Sequence, residues 1–319
     1  MAKIISLSVL LFISFSHIVC ANDSSVGEDN GSLEFLQQNE VSIVKERLLI
    51  APDRINVDYI FFNHAAQDIV VPVAFPMPAI YKIGMEDHAT GIANFKISVD
   101  GKPVKSESRW RVIRFREDRR EEDITAKVLA TGWTLAQLRN AFTSDAPVEN
   151  FYEKGMPHFP EEWFDDGRLA IAVQQYFLWQ QRFPAGKEVT IHHSYSPSFS
   201  STIPFDLKTI LEYSDNAFTP ATRTALKQLD AKLKTSNNGN IYPYAIYTRT
   251  LAYILKTGAN WKDGTIDDFT LRIHKLKKDD VVVPGFNYPL KQIDPLTLEF
   301  KKKNFKPTEN LYMTFYSGE

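Results

Sequence analysis

The stretch RINVDYIFFN, residues 54–63, sets the tightest constraint on this chain. Ile55, Val57, Tyr59 and Phe61 occupy alternate positions. A two-residue period puts all four side chains on one face of a strand and predicts a half-buried sheet rather than a helix. The pattern recurs. A polar connection, HAAQD, leads to IVVPVAF, which reads as the returning strand of a hairpin. FKISVDGKPVKSESRWRVIRF repeats strand, turn and strand around Asp100-Gly101, a pair that favours the positive φ angles of a tight hairpin. Residues 39–116 therefore read as an antiparallel layer of four or five strands.

Helical signals then interrupt the strands. Asp123 stands as an N-cap before Ile124, Val128 and Leu129, with Gly132 as a stop, and WTLAQLRNAF carries Leu135, Leu138 and Phe142 at helical spacing. RLAIAVQQYFLWQQRF reads as a long strand, PAGKE as a turn and VTIHHSYSPS as the strand that returns. Further on, Thr219 caps a helix whose first position is Pro220 and whose apolar stripe is Ala225, Leu226, Leu229 and Leu233. The remaining sequence to the C-terminus reads as more strands. Strands with a helical insert, then one helix, then strands argue against a wound parallel sheet. The expected fold is mainly β, with two antiparallel β-sandwich-like domains and helical insertions. The first spans 39–202, with its insert at about 123–165. The second spans 203–319, with one helix at about 219–235.

The N-terminus directs the chain out of the cytoplasm. Lys3, the apolar run Ile4–Phe15 and small residues at Val19 and Ala21 read as a signal peptide, residues 1–21, cleaved after Ala21. The run is too short to span a bilayer, which needs about 20 apolar residues. Lipidation of Cys20 is the rival reading, but His17, Ile18 and Val19 fit that pathway poorly. The polar segment 22–38 reads as a flexible leader. The mature protein is then periplasmic or secreted, with no later segment apolar enough to span a membrane. Cys20 is the sole cysteine, so the exported chain has no disulfides and must be held by burial. A formal net charge of −2, or about −3 without Lys3, leaves no electrostatic footprint for nucleic acid.

Candidate functional residues are few. No phosphate loop, zinc pattern or dinucleotide fingerprint occurs, so neither cofactor nor metal is expected. His192-His193 is a metal lure, but adjacent strand residues face opposite sides and cannot share an ion. Asp165 and Asp166, with His192, are candidates for acid–base catalysis, although the two carboxylates adjoin a glycine turn. In FPMP, Pro76 and Pro78 force Phe75 and Met77 into extended geometry at the exit of a strand, as a corner of the core or a rim for a partner. The chain is rich in aromatics, with 22 Phe, 13 Tyr and 5 Trp. Phe75, Met77, Trp163, Trp179 and Trp261 are accordingly the candidate binding residues for a protein or glycan partner.

Taken in order, ANDSS, YIFFNHAAQDIVVPVAFPMP, FPAGKEVTIHHSYSPS, YILKTGANWKDGTIDDFTLRIHK and NFKPTENLYMTF resemble the bacterial exported family called domain of unknown function 4424. The resemblance covers the mature chain and implies an exported protein with no assigned activity. The first half is also similar at fold level to the inter-alpha-trypsin vault domain, through Phe75–Pro78, Asp100-Gly101, the helical insert, Pro184–Val189 and Tyr195. Two functions are in play: a non-catalytic envelope module that binds a protein or glycan, and a hydrolase of an envelope polymer using a carboxylate–histidine site.

Overall fold

The computed structural model describes residues 24–29, 32–36, 38–82, 93–115, 121–144, 149–197, 199–201, 204–213, 218–235 and 245–318. The expected signal peptide and its cleavage site lie outside the described residues. The chain begins with strands β1 (Ser24–Asp29), β2 (Ser32–Leu36), β3 (Val41–Ile50), β4 (Ile55–Asn63) and β5 (Ile69–Tyr81). Next come β6 (Ala93–Val99), β7 (Lys102–Pro103), β8 (Glu107–Phe115) and β9 (Glu121–Asp123). Helices α1 (Thr125–Ala130), α2 (Leu135–Thr143) and α3 (Glu149–Glu153) form the insert. They are followed by the short hairpin β10 (Phe164–Asp165) and β11 (Arg168–Leu169), then β12 (Ile171–Phe183), β13 (Glu188–Ser196) and β14 (Ser200–Ser201). The last part holds α4 (Leu207–Tyr213), α5 (Pro220–Thr235), β15 (Tyr247–Tyr253), β16 (Ile266–His274), β17 (Val281–Gly285), β18 (Lys291–Asp294), β19 (Thr297–Phe305) and β20 (Leu311–Ser317).

The protein is mainly β, as its alternating sequence predicts. An eight-stranded sheet runs β18-β19-β16-β3-β4-β13-β6-β7, a six-stranded sheet β2-β1-β5-β12-β8-β9, and a four-stranded sheet β14-β15-β20-β17. Among the described residues, pairing is antiparallel except between β3 and β16, which are parallel. That pair joins the two expected sandwich domains inside one sheet, so the division at 202/203 is bridged by continuous hydrogen bonding. One core follows from it. Ile43, Val57 and Phe75 from the first half cluster with Tyr253, Trp261, Phe269 and Phe315 from the second.

The leader is more ordered than its composition predicts. β1 pairs with β2 and adds to the edge of β5 through Ser24–Ala74 and Ser25–Val73. An edge strand presents unpaired backbone groups, and the added segment satisfies them through its own backbone. The second half also holds two helices where the sequence showed one. α4 packs with α5 over Ile246, Val281 and Tyr316 of the four-stranded region.

FPMP lies within β5, not at its exit. Phe75 and Met77 point into the core, and the ladder with β12 shifts register between Gln174 and Tyr176, opposite the two prolines. Proline cannot donate to a ladder, and at this irregularity a side chain serves a β5 carbonyl in place of the backbone. Gln174 Nε2 donates to the Met77 carbonyl at 2.8 Å, and its Oε1 accepts from Arg111 Nε at 2.7 Å. Arg111 also pairs with Glu121 at 2.9 Å. On β4, buried Asn63 acts similarly: its amide donates to the carbonyls of Gln67 and Phe183, and its Oδ1 accepts from the Ala65 N–H. The turn after β4 is thereby tied to the end of β12.

Two predictions follow from these buried polar groups. Gln174→Leu strands a buried carbonyl and removes one partner of a buried guanidinium. It should cost about 2–4 kcal/mol, read as a lower urea midpoint with unchanged slope. His193 is fully buried on β13 among the rings of Tyr59, Phe75, Phe95 and Trp179, at centroid distances of 4.7–5.8 Å. Burial, and then the neighbouring His192, depress its pKa from 6.5 to about 3. Between those values the unfolded chain binds a proton that the folded chain refuses, so stability falls as pH drops below about 6.5. In urea titrations from pH 6.5 to 4.5, wild type should lose up to about 1.4 kcal/mol more per pH unit than His193→Leu. Equal slopes would contradict the assignment of a neutral buried imidazole.

Candidate functional site

The structure disperses the residues that the sequence nominated. Phe75, Met77, Trp163, Trp179 and Trp261 are all between 0 and 5 % exposed. Phe75, Met77, Trp179 and Trp261 belong to the main core, and Trp163 to the cluster under the helical insert, with Trp133 stacked on Phe159 at 4.9 Å. None presents a surface to a partner, because each fills the space between layers. Asp165 and Asp166 belong to the β10–β11 hairpin, where Asp166 and Gly167 take φ of 47° and 72°, the geometry of a tight turn. His192 lies on β13 and hydrogen-bonds Asp58 of β4, not either hairpin carboxylate. His192 and His193 do face opposite sides of the sheet, the one outward and the other into the core.

What the fold does assemble is the outer face of the eight-stranded sheet. Strand alternation sends Ile55, Val57, Tyr59, Leu48, Ile191, Phe269, Leu271 and Ile273 inward. The residues between them therefore point outward. The registers set these into rows. Lys301, Thr270, Arg47, Asp58, His192 and Ser98 stand opposite one another on β19, β16, β3, β4, β13 and β6. One row away lie Lys303, Asp268, Lys45, Ile60 and Thr190. On the other side lie Glu299, Arg272, Leu49, Asn56, Ser194 and Lys96. Five strand spacings make the first row about 24 Å long.

Six cations and three carboxylates occupy these rows, an excess of positive charge on a chain whose formal net charge is −2. The carboxylates are committed. Glu299 accepts from Lys301 at 2.8 Å and from Arg272 at 2.9 Å, and Asp268 pairs with Lys303 at 3.2 Å. Hydrogen bonding from Lys301, then from Arg272, holds the Glu299 carboxyl below its usual range against the opposing effect of partial burial. The Asp58 carboxylate accepts from His192 Nδ1 at 2.7 Å, which fixes the proton on that nitrogen and turns Nε2 outward to solvent. Among the described residues, no carboxylate stands within ion-pair distance of Lys45, Arg47 or Lys96. The sequence concealed this grouping because its charges are scattered from position 45 to position 303. The one local signal was the polar alternation inside SIVKERLLI, where Lys45 and Arg47 flank an inward-facing residue.

Concavity lies elsewhere. An open groove of about 790 Å³ between α4 and α5 is lined by Leu207 and Leu211, with Asp206, Lys208, Glu212, Asp230 and Lys234 around them. Its charged groups already serve the helices. Asp206 accepts the Thr209 N–H at the start of α4, and Lys234 pairs with Asp230 at 2.7 Å along α5. Among the described residues, no group of three or more His, Cys, Asp or Glu side chains is placed to hold a metal ion, and no helix is long and apolar enough to cross a membrane.

Two solved structures resemble the chain at a distance. A Legionella pneumophila protein described as nutrient binding shares 12 % identity over 94 % of this chain and 71 % of its own, with a TM-score of 0.46. An M1 zinc metallopeptidase from Deinococcus radiodurans shares 8 % identity over 88 % of this chain, with a TM-score of 0.30. This chain spans 43 % of that peptidase. No curated protein matches the sequence. A family profile, by contrast, matches residues 21–313, almost the whole length. The chain belongs to the family described as Domain of unknown function (DUF4424).

Proposed function

We propose that this protein is an exported, non-catalytic binding module of the cell envelope, and that its contact surface is the outer face of the eight-stranded sheet. The observation that carries this reading is the disposition of side chains on that sheet. Its inner face is closed by aromatic packing, while its outer face is an open field of charged and hydroxylated residues on a rigid hydrogen-bonded frame. Such a frame fixes the positions of its side chains at little entropic cost on binding. Support for export is the basic, then apolar, then small-residue N-terminus. Hydrolysis has less behind it, since Asp165 and Asp166 serve a hairpin turn and His192 turns to Asp58 on an open sheet.

The lack of cysteine after Cys20 makes the test direct. A benzophenone maleimide on Thr190→Cys, an exposed position on the outer face, should give a discrete cross-linked adduct in intact cells. The same reagent on Lys208→Cys, on exposed α4, should give none. Identical adduct patterns from both positions would overturn the assignment of the face. Mass spectrometry of the recovered chain should find Asn22 as its first residue, and an intact Met1 terminus would overturn the export reading.

A further inference from the structure

We infer that the outer face takes an anionic polysaccharide, held first by Arg47, Lys301 and Lys45 around Thr270. This rests on the binding reading above and specifies its ligand. Arg47 and Lys301 stand on the strands either side of β16, directly opposite Thr270 in register. Two strand spacings separate them by about 10 Å across the sheet, within reach of two long side chains, and Thr270 between them is 8 % exposed. About 7 Å further along the strands, Lys45 and Lys303 stand either side of Asp268, which pairs with Lys303 at 3.2 Å and leaves Lys45 as the second cation of the site. A carboxylate or sulfate seated over Thr270 meets a guanidinium on one side and an ammonium on the other. The next acidic group of a chain meets Lys45, which has no carboxylate within ion-pair distance among the described residues.

Charge bookkeeping at this point favours an incoming anion. Glu299 and Asp268 engage Lys301, Arg272 and Lys303, while Arg47, Lys45 and Lys96 have no carboxylate within ion-pair distance among the described residues. Asn56, Ser98, Thr190 and Ser194 complete the rows and supply donors and acceptors suited to sugar hydroxyls. Two competing ligand classes fit less well. Neutral glycans and single-stranded nucleic acids are gripped by exposed aromatic platforms, and the three rows contain neither Trp, Tyr nor Phe. A nucleic-acid duplex carries one charge per about 1.7 Å and would meet Asp58, Asp268 and Glu299 as repulsive neighbours. A polysaccharide with one acidic group per sugar spaces its charges widely enough to thread between those carboxylates.

The test uses the full mature chain and fluorescent polygalacturonate, followed by anisotropy, with dextran as the neutral chain and a DNA duplex as the denser polyanion. Polygalacturonate should bind in preference to both, and added salt should weaken it. Lys45→Glu with Arg47→Glu should reduce affinity about tenfold or more, and the glutamine pair should reduce it less. Lys208→Glu with Lys227→Glu, on exposed helix surface, should leave it unchanged. Equal affinity for dextran, preference for the duplex, or full affinity in both face variants with wild-type melting would overturn the inference. If polygalacturonate fails while the Thr190→Cys cross-link still forms, the ligand class falls and the binding reading stands. If both fail, both fall.

Discussion

Strand β3 is hydrogen-bonded on both edges, antiparallel to β4 and parallel to β16, and the architecture hangs on that double pairing. The parallel partner lies more than two hundred residues further along the chain. Loop-closure entropy grows only slowly with length, but nothing covalent shares the cost here, because no cysteine follows Cys20. Burial must supply the compensation. The inner face of the sheet does so through a single cluster fed by all three large sheets, in which Trp261 packs on Phe61 at 4.7 Å and Phe269 on Phe305 at 4.5 Å. The aromatic wealth of the sequence is thus a consequence of the topology. A cross-link-free chain that joins its ends in one sheet needs large, interlocking apolar side chains at the seam.

That same seam tolerates polar groups, and they shape it. His193 is enclosed by four rings, and Glu46 is fully buried on β3 beside register partners Tyr59 and Phe269. Tyr59 and Tyr253 bring their hydroxyls within 3.3 Å across the two halves of the chain. Polar groups in a dry interior penalise any arrangement that leaves them unmatched, so they select one register among the many that apolar packing alone would permit. Asn63 and Gln174 do the same at the strand ends and at the proline-interrupted ladder of β5, where each replaces a hydrogen bond that the backbone cannot make.

Much of the local structure was legible in the sequence. Alternation at Ile55–Phe61 placed β4, Asp100-Gly101 closed the β6–β7 hairpin with φ of 49° and 74°, and Thr219 accepts the Thr222 N–H ahead of Pro220 as the cap of α5. Four kinds of feature were hidden. The joining of β3 to β16 depends on nonlocal pairing that no window of sequence reports. The leader looked structureless because its partner is the backbone edge of β5, and backbone pairing leaves no side-chain signature. The candidate binding residues were chosen for being aromatic, yet burial claims large aromatics first, and Phe75, Met77 and Trp261 went to the core. The charged outer face escaped notice for the opposite reason. Lys45, Arg47 and Lys301 look like ordinary solvated strand positions until register sets them side by side.

The value of that register is positional. A lysine on a loop explores a wide volume, and ordering it on binding costs about 0.5–1.5 kcal/mol of side-chain freedom. On a β-sheet the Cα positions are fixed by the ladder, neighbouring side chains limit the rotamers, and charges fall on a lattice with spacings of about 5 Å and 7 Å. Carboxylates within the lattice hold part of it in place. Glu299 orders Lys301 and Arg272, and Asp268 orders Lys303, while Arg47 and Lys45 project from the adjoining strand β3. The strand that joins the two ends of the fold therefore also carries the cations at the centre of its open face. Any change that loosened the β3–β16 pair would blur the spacing of those charges as surely as it would weaken the core beneath them.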